Sequence, residues 1–336
     1  MAIISIKEIF NKDSAPRKGL LAAEWVVLAY SAITALLIFF TYTKLENPHS
    51  MLMHRVHVTA MTVALWIVYR LYPCKALILV RIAAQMLLLG VWYPETFELN
   101  RIYPNLDHLF ASWEQALFGC QPALLFSQIL PGAVVSELMD LGYAAYFPMI
   151  ALITVYYFLW KNAELQKAAF ILLGAFFIYY LIFIALPVTG PQYYYKAVGL
   201  TKIAEGIFPN VHDYFNLNQD RLVSPGYIDG IFYNMVESAH NAGERPTAAF
   251  PSSHVGISTV VMLLAWHTGS RRLVWILTPF YVLLCLSTVY IQAHYVIDAI
   301  AGLITGAAFY FLLNMVPIRK DVIPTPPHKP KRKKRK

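Results

Sequence analysis

Charge is what this chain has least of. Only 14% of its 336 residues are Asp, Glu, Lys or Arg, against 58% hydrophobic. Length alone would suggest two soluble domains, but a soluble surface needs more charge than this. Uninterrupted apolar runs also exceed the length that spans a bilayer. Cysteine is scarce too. Cys74, Cys120 and Cys285 are scattered, with neither metal nor redox spacing, so no disulfide framework is implied. No glycine-rich nucleotide loop stands out, and no internal repeat of the kind that builds many transporters. The net charge of +8 does not argue for nucleic acid, because most of the excess sits in the tail Lys329–Lys336. Topology setting or contact with anionic lipid explains that tail better.

What is present is a series of apolar segments. They predict an all-α, polytopic membrane bundle of about eight transmembrane helices, at 20–43, 52–72, 75–93, 141–160, 168–186, 255–266, 273–291 and 295–316. The first run is too long for a signal-peptide core and is read as a retained span. Residues 1–19 form a charged leader, 20–316 a single integral membrane domain, and 317–336 a basic tail. Basic clusters lie in the leader, at Arg70 with Lys75, at Lys161 with Lys167, at Arg271 with Arg272, and in the tail. Eight alternating spans put all five on one side, which the positive-inside rule makes cytoplasmic. The loops 94–140 and 190–250 then face outward.

Chemistry concentrates at the mouths of two late spans. Phe250-Pro251-Ser252-Ser253-His254 opens one, and His294-Tyr295-Val296-Ile297-Asp298 opens another. An ionisable residue at such a place is a functional hypothesis by default. If the second run is helical from about His294, then His294 and Asp298 share a face one turn apart. The carboxylate can fix the imidazole tautomer and leave the other nitrogen free as a nucleophile. Pro251 ends any preceding helix and Ser252 or Ser253 caps the next, whose N-terminal N–H groups suit phosphate. Nucleophile, orienter, acid and anion cradle together fit phosphoryl transfer, with the active site at the outer membrane face.

At these residues the chain resembles the type 2 phosphatidic acid phosphatase superfamily. Pro251-Ser252-Ser253-His254 is similar to its Pro-Ser-Gly-His motif, and Ser287, His294 and Asp298 to its Ser-Arg-x5-His-x3-Asp motif. The resemblance implies that His294 attacks phosphorus, Asp298 orients it and His254 protonates the leaving group. The family's Arg is Thr288 here, and its Gly is Ser253. Its Lys-x6-Arg-Pro motif has only Arg245-Pro246, with Ser238 at the Lys position. Such losses, with Leu186-Pro187 and Gly190-Pro191-Gln192-Tyr193-Tyr194-Tyr195, resemble the inositol phosphorylceramide synthase branch.

In the loop 190–250, Lys196, Arg221 and Arg245 are candidate phosphate or headgroup ligands, with Gln192, Ser252 and Ser253 as further substrate contacts. Tyr193, Tyr194 and Tyr195 read as an interfacial aromatic belt. Asp107, His108 and Glu114 fall on an amphipathic segment expected to lie in the interface. His54 and His57 could pair on a metal but lack a third ligand, and anchoring beside Arg55 is the better reading. Arg81, inside a span, should face protein or a water-filled pocket rather than lipid.

The expected activity is transfer of a phosphorylated headgroup, such as inositol phosphate, from a phospholipid donor to a lipid alcohol such as ceramide, through a phosphohistidine. No metal or cofactor is required. A lipid phosphate phosphatase is the nearest alternative, and a proton-coupled transporter a lower one. The host membrane is expected to be a bacterial inner membrane with a periplasmic site, or a Golgi membrane with a lumenal one.

Overall fold

The computed structural model describes residues 4–13 and 16–318, so the basic tail cluster lies outside the described residues. Among the described residues there is no strand. The helices are α1 (Ile6–Phe10), α2 (Ala22–Thr41), α3 (Pro48–Leu71), α4 (Lys75–Leu87), α5 (Leu89–Asn100) and α6 (Asp107–Phe118). Next come α7 (Pro122–Ile129), α8 (Ala133–Ala144), α9 (Tyr146–Trp160), α10 (Leu165–Ala185), α11 (Pro191–Val198) and α12 (Leu200–Ala204). The chain closes with α13 (Ile231–Gly243), α14 (Ser253–His267), α15 (Arg271–Tyr290) and α16 (Val296–Met315).

Among the described residues, six helical segments are long and apolar enough to cross a membrane, and the bent pair α8–α9 makes a seventh. The eighth expected span is α14, whose 15 residues reach only about 22 Å against a hydrocarbon core of about 30 Å. The third span also runs further than the sequence suggested. α5 carries on through Pro94 to Asn100, so 94–100 is helix rather than loop. Burial separates centre from rim. The α10 segment is 72% buried and the α3 segment 22%, so α10 forms the central post and α3 faces lipid.

Four of the five basic clusters gather at one end of the bundle. Ile4 N–H donates to the Leu159 carbonyl at 3.0 Å and Asp13 N–H to that of Pro73 at 2.8 Å. His267 meets Glu164 at 3.3 Å, and Lys167 Nζ donates to the Leu313 and Asn314 carbonyls. Inside the bundle the cations are paired. Arg81 donates through Nε and Nη2 to Glu24 at 2.7 and 2.6 Å, which supplies the partner the sequence could not name. Arg55 is paired with Glu95, which His54 Nδ1 also meets at 2.6 Å, so His54 is engaged by a carboxylate.

The packing of α14 on α16 sets the site. A Cβ on Gly302 would lie 2.4 Å from the Ser252 carbonyl oxygen, and one on Gly306 would lie 2.3 Å from that of Gly256. Only hydrogen at these places lets the two backbones approach, the small-xxx-small device of membrane helices. Replacing Gly306 with Val should therefore cost stability by overpacking, about 1–3 kcal/mol. Thermal unfolding in detergent reads this, and an unchanged midpoint would mean that the helices do not depend on the contact.

Candidate active site

Ser252 starts α14, its Oγ accepting the Val255 N–H at 3.4 Å. Its own N–H donates to the Asp298 carbonyl at 3.0 Å, across the contact that Gly302 permits. His254 is thereby brought beside His294, with ring centroids 5.7 Å apart. Tyr143 stacks on His254 at 4.6 Å, and Tyr146 tilts against it at 4.5 Å.

His294 does not open α16. That helix begins at Val296, with Tyr295 as its cap, and Asp298 Oδ2 accepts the Tyr295 N–H at 2.9 Å. The nearest partner of His294 Nδ1 is the Ala249 carbonyl at 2.8 Å, and Asp298 Oδ2 follows at 3.6 Å. A carbonyl only accepts, so Nδ1 carries the proton and Nε2 presents its lone pair. The ring is 4% exposed. Burial pushes His294 down to about 4, although the Ala249 hydrogen bond works the other way. Thr288, where the superfamily motif has Arg, accepts the His294 N–H on its carbonyl at 2.9 Å.

The two helix starts differ electrostatically. Glu114 accepts the N–H groups of Val296 and Ile297 at 2.9 and 3.1 Å, so the start of α16 is already occupied by carboxylates. At α14 no such bond is made to the N–H groups of Ser253 and His254 among the described residues. N–H groups of the kind an anion cradle needs therefore remain open at α14 and not at α16.

Asp107 and Glu114 overturn the interfacial reading of their segment, since both are fully buried. Asp107 accepts from Thr189 N–H at 2.7 Å, Thr189 Oγ1 at 2.9 Å, Gly190 N–H at 2.9 Å, Asn105 Nδ2 at 2.6 Å and Tyr295 O–H at 3.1 Å. Burial raises both carboxyls above their ordinary range, and their N–H donors oppose the rise. Amphipathic spacing fits a helix against protein as well as one against headgroups, so periodicity could not reveal them. Tyr193, Tyr194 and Tyr195 are likewise interior, not an aromatic belt. Tyr194 O–H donates to the Pro209 carbonyl and Tyr195 O–H to Gln121.

The candidate cations separate into engaged and free. Arg221 grips Glu237 with two N–H groups at 3.1 and 2.8 Å. Burial alone would raise Glu237, but the nearby His240 and hydrogen bonds from Arg221 and the Ser224 N–H hold it well below the carboxylate range. Gln192 Nε2 donates to Glu244 at 2.9 Å. Arg245 and Lys196 are exposed and in no ion pair among the described residues. Arg245 acts electrostatically on Tyr193, and no contact ties Lys196 to the histidines.

A sequence profile of the PAP2 superfamily matches residues 108–312, more than half of the chain. The chain belongs to the PAP2 superfamily. No curated protein and no solved structure matches it. Membership points to phosphatase or phosphotransferase chemistry on lipid phosphates, in an integral membrane protein. The PAP2 match takes in Glu114, His254, His294 and Asp298, and it leaves α1–α5 outside. Glu114→Ala should strand two half-buried N–H groups, costing about 1 kcal/mol for each group left unpaired. Unfolding in detergent and loss of turnover should fall together, and a stable, active variant would show that this clamp is dispensable.

Proposed function

We propose that the chain is a membrane phosphotransferase. It moves a phosphorylated headgroup, such as inositol phosphate, from a phospholipid donor to a lipid alcohol such as ceramide. The observation that carries this reading is the His294 geometry: Nδ1 held on Ala249, Nε2 free, and a second imidazole one ring-to-ring distance away.

Nε2 of His294 attacks phosphorus and the bond to the diacylglycerol oxygen breaks. His254 gives that oxygen its proton, leaving a phosphohistidine. The acceptor hydroxyl then attacks phosphorus, the P–N bond breaks, and the hydroxyl proton returns to His254. The free N–H groups of α14 and the unpaired Arg245 are the groups available to the phosphoryl oxygens. Asp298, at 3.6 Å, backs the tautomer that Ala249 sets. Hydrolysis would use the same residues with water as acceptor. The buried His294 and the tyrosines on His254 favour transfer, because both keep water from the intermediate. The sparse cationic clamp supports the same branch.

The site lies at the end of the bundle away from the basic clusters, and positive-inside orientation directs it outward. In a bacterial inner membrane that is the periplasm, and in a Golgi membrane the lumen. A Tyr214→Cys variant should therefore react with a membrane-impermeant maleimide in intact cells, and reaction only after permeabilisation would invert the topology.

His294→Ala should abolish turnover and any acid-labile phosphoprotein. His254→Ala should be slow with ordinary alcohols and partly restored by a nitrophenyl leaving group, which needs no proton. Rescue of His294→Ala instead would exchange the two roles. Because the nucleophile must be neutral, activity is lost as pH falls through the His294 value. The acid limb of kcat/KM should thus lie near 4, not near the 6.5 of a free imidazole. A limb at 6.5 would mean that another histidine controls the step.

A further inference from the structure

Beside the catalytic pair lies a polar layer that the mechanism above does not use. Asp140, on α8, is fully buried, and neither of its carboxylate oxygens makes a hydrogen bond. It lies one turn before Tyr143 on the same helix, and Glu137, Glu237 and His240 of α13 act on it electrostatically. His240 is 5% exposed. Its Nε2 lies 3.1 Å from Glu244 Oε2, and its Nδ1 lies 3.8 Å from Glu237 Oε1. Both are ion-pair approaches rather than hydrogen bonds, so neither ring nitrogen has a hydrogen-bond partner among the described residues, and nor does Glu244 Oε2. The buried Ser224 hydroxyl lacks one too.

This layer adjoins the reacting groups. The Tyr143 ring that stacks on His254 also receives His240 edge-on at 5.4 Å. His240 and His294 both bear electrostatically on His254, whose own Nδ1 is unpartnered. The remaining charged groups here are accounted for. Glu237 is gripped by Arg221, Glu137 accepts the first N–H groups of α13, and Glu244 Oε1 is held by Gln192. Tyr143 lies in the field of Glu244, Tyr193 and Arg221, which closes the layer on the side of α11.

Buried polar atoms are almost always paired, and those without partners in one place need an explanation. Here carboxylate acceptors and an imidazole lie around the Tyr143 ring that stacks on His254, with the Ser224 hydroxyl nearby on Glu237, and no cation is free among them to meet a phosphate. Their complement is a group rich in hydroxyls, which donates to the carboxylates and accepts from the imidazole and the serine. In the phosphotransferase reading, on which this inference rests, the headgroup stays on phosphorus while the diacylglycerol leaves. The headgroup must therefore sit beside the histidines during both half-reactions.

We infer that Asp140, His240 and Glu244 form the wall that reads this headgroup, by hydrogen-bonding its hydroxyl groups. They are specificity-determining residues, separate from the set that handles phosphorus.

The test uses the full chain in nanodiscs. On a His294→Ala background, which stops chemistry, binding of phosphatidylinositol is compared with that of phosphatidate, which has no headgroup alcohol. Adding Asp140→Asn or His240→Gln should weaken phosphatidylinositol relative to phosphatidate by about tenfold, as expected for losing one or two hydrogen bonds. Ser224→Ala, the mildest change, should act in the same direction if the others fold poorly. Equal weakening of both lipids, or an unaltered ratio, overturns the inference. So does an equal or larger effect on phosphatidylethanolamine, since the carboxylates would then be reading an ammonium. Turnover by the unsubstituted protein separates the two levels. Activity on phosphatidate but none on phosphatidylinositol sinks this wall and leaves superfamily chemistry standing. Inertness toward every phospholipid donor sinks the transferase reading, and the inference with it.

Discussion

One buried carboxylate closes the circuit that holds the His294 ring. Asp107 gathers the N–H groups of Thr189 and Gly190 and the hydroxyl of Tyr295. Next to Thr189, the Val188 carbonyl accepts the Ala249 N–H at 2.9 Å, and the Ala249 carbonyl holds the His294 ring. His294 adjoins Tyr295, which returns to Asp107. Every step is a hydrogen bond or a peptide bond, so the imidazole cannot turn without breaking a buried contact. Gly190 is part of the same constraint. It sits at φ +88°, where a Cβ would come 2.5 Å from the Ala293 carbonyl oxygen. The loops 187–190 and 292–295 can lie together only because that position is bare.

The geometry also divides labour between the two helix starts. Carboxylates from α6 and from α16 itself occupy the positive end of α16, which fixes where His294 is delivered. At the positive end of α14 no carboxylate takes the N–H groups of Ser253 and His254 among the described residues. One end is tied into the structure and the other is left open, although both begin with the same unpaired N–H groups.

Much of this was legible in the sequence. His254, His294 and Asp298 stand at the mouths of apolar runs, and ionisable residues are rare enough there to be noticed. The helical class and most spans follow from hydropathy. Asp107 and Glu114 were not legible as interior residues, since their donors lie 82 and 182 positions along the chain. A local pattern cannot say whether an amphipathic face meets headgroups or protein. The same blindness hid Tyr193, Tyr194 and Tyr195. Gly302 and Gly306 did carry a signal, four residues apart in an apolar helix. Asp140 and His240 carried none, because their nearness depends on how α13 lies across α8.

The Arg81–Glu24 pair bears on how the chain is made. Glu24 sits in the first turn of its helix, where it also accepts the Leu21 N–H, so it enters a bilayer near the edge, with headgroups and water close by. Arg81, bonded to Glu24 from the second turn of its own span, lies at the same depth, where a lone cation is still costly. It is synthesised 57 residues later. By the time the third span leaves the ribosome, its counterion is already in place. The anion precedes the cation that it neutralises, and the order of the two along the chain spares Arg81 an unpaired passage into lipid.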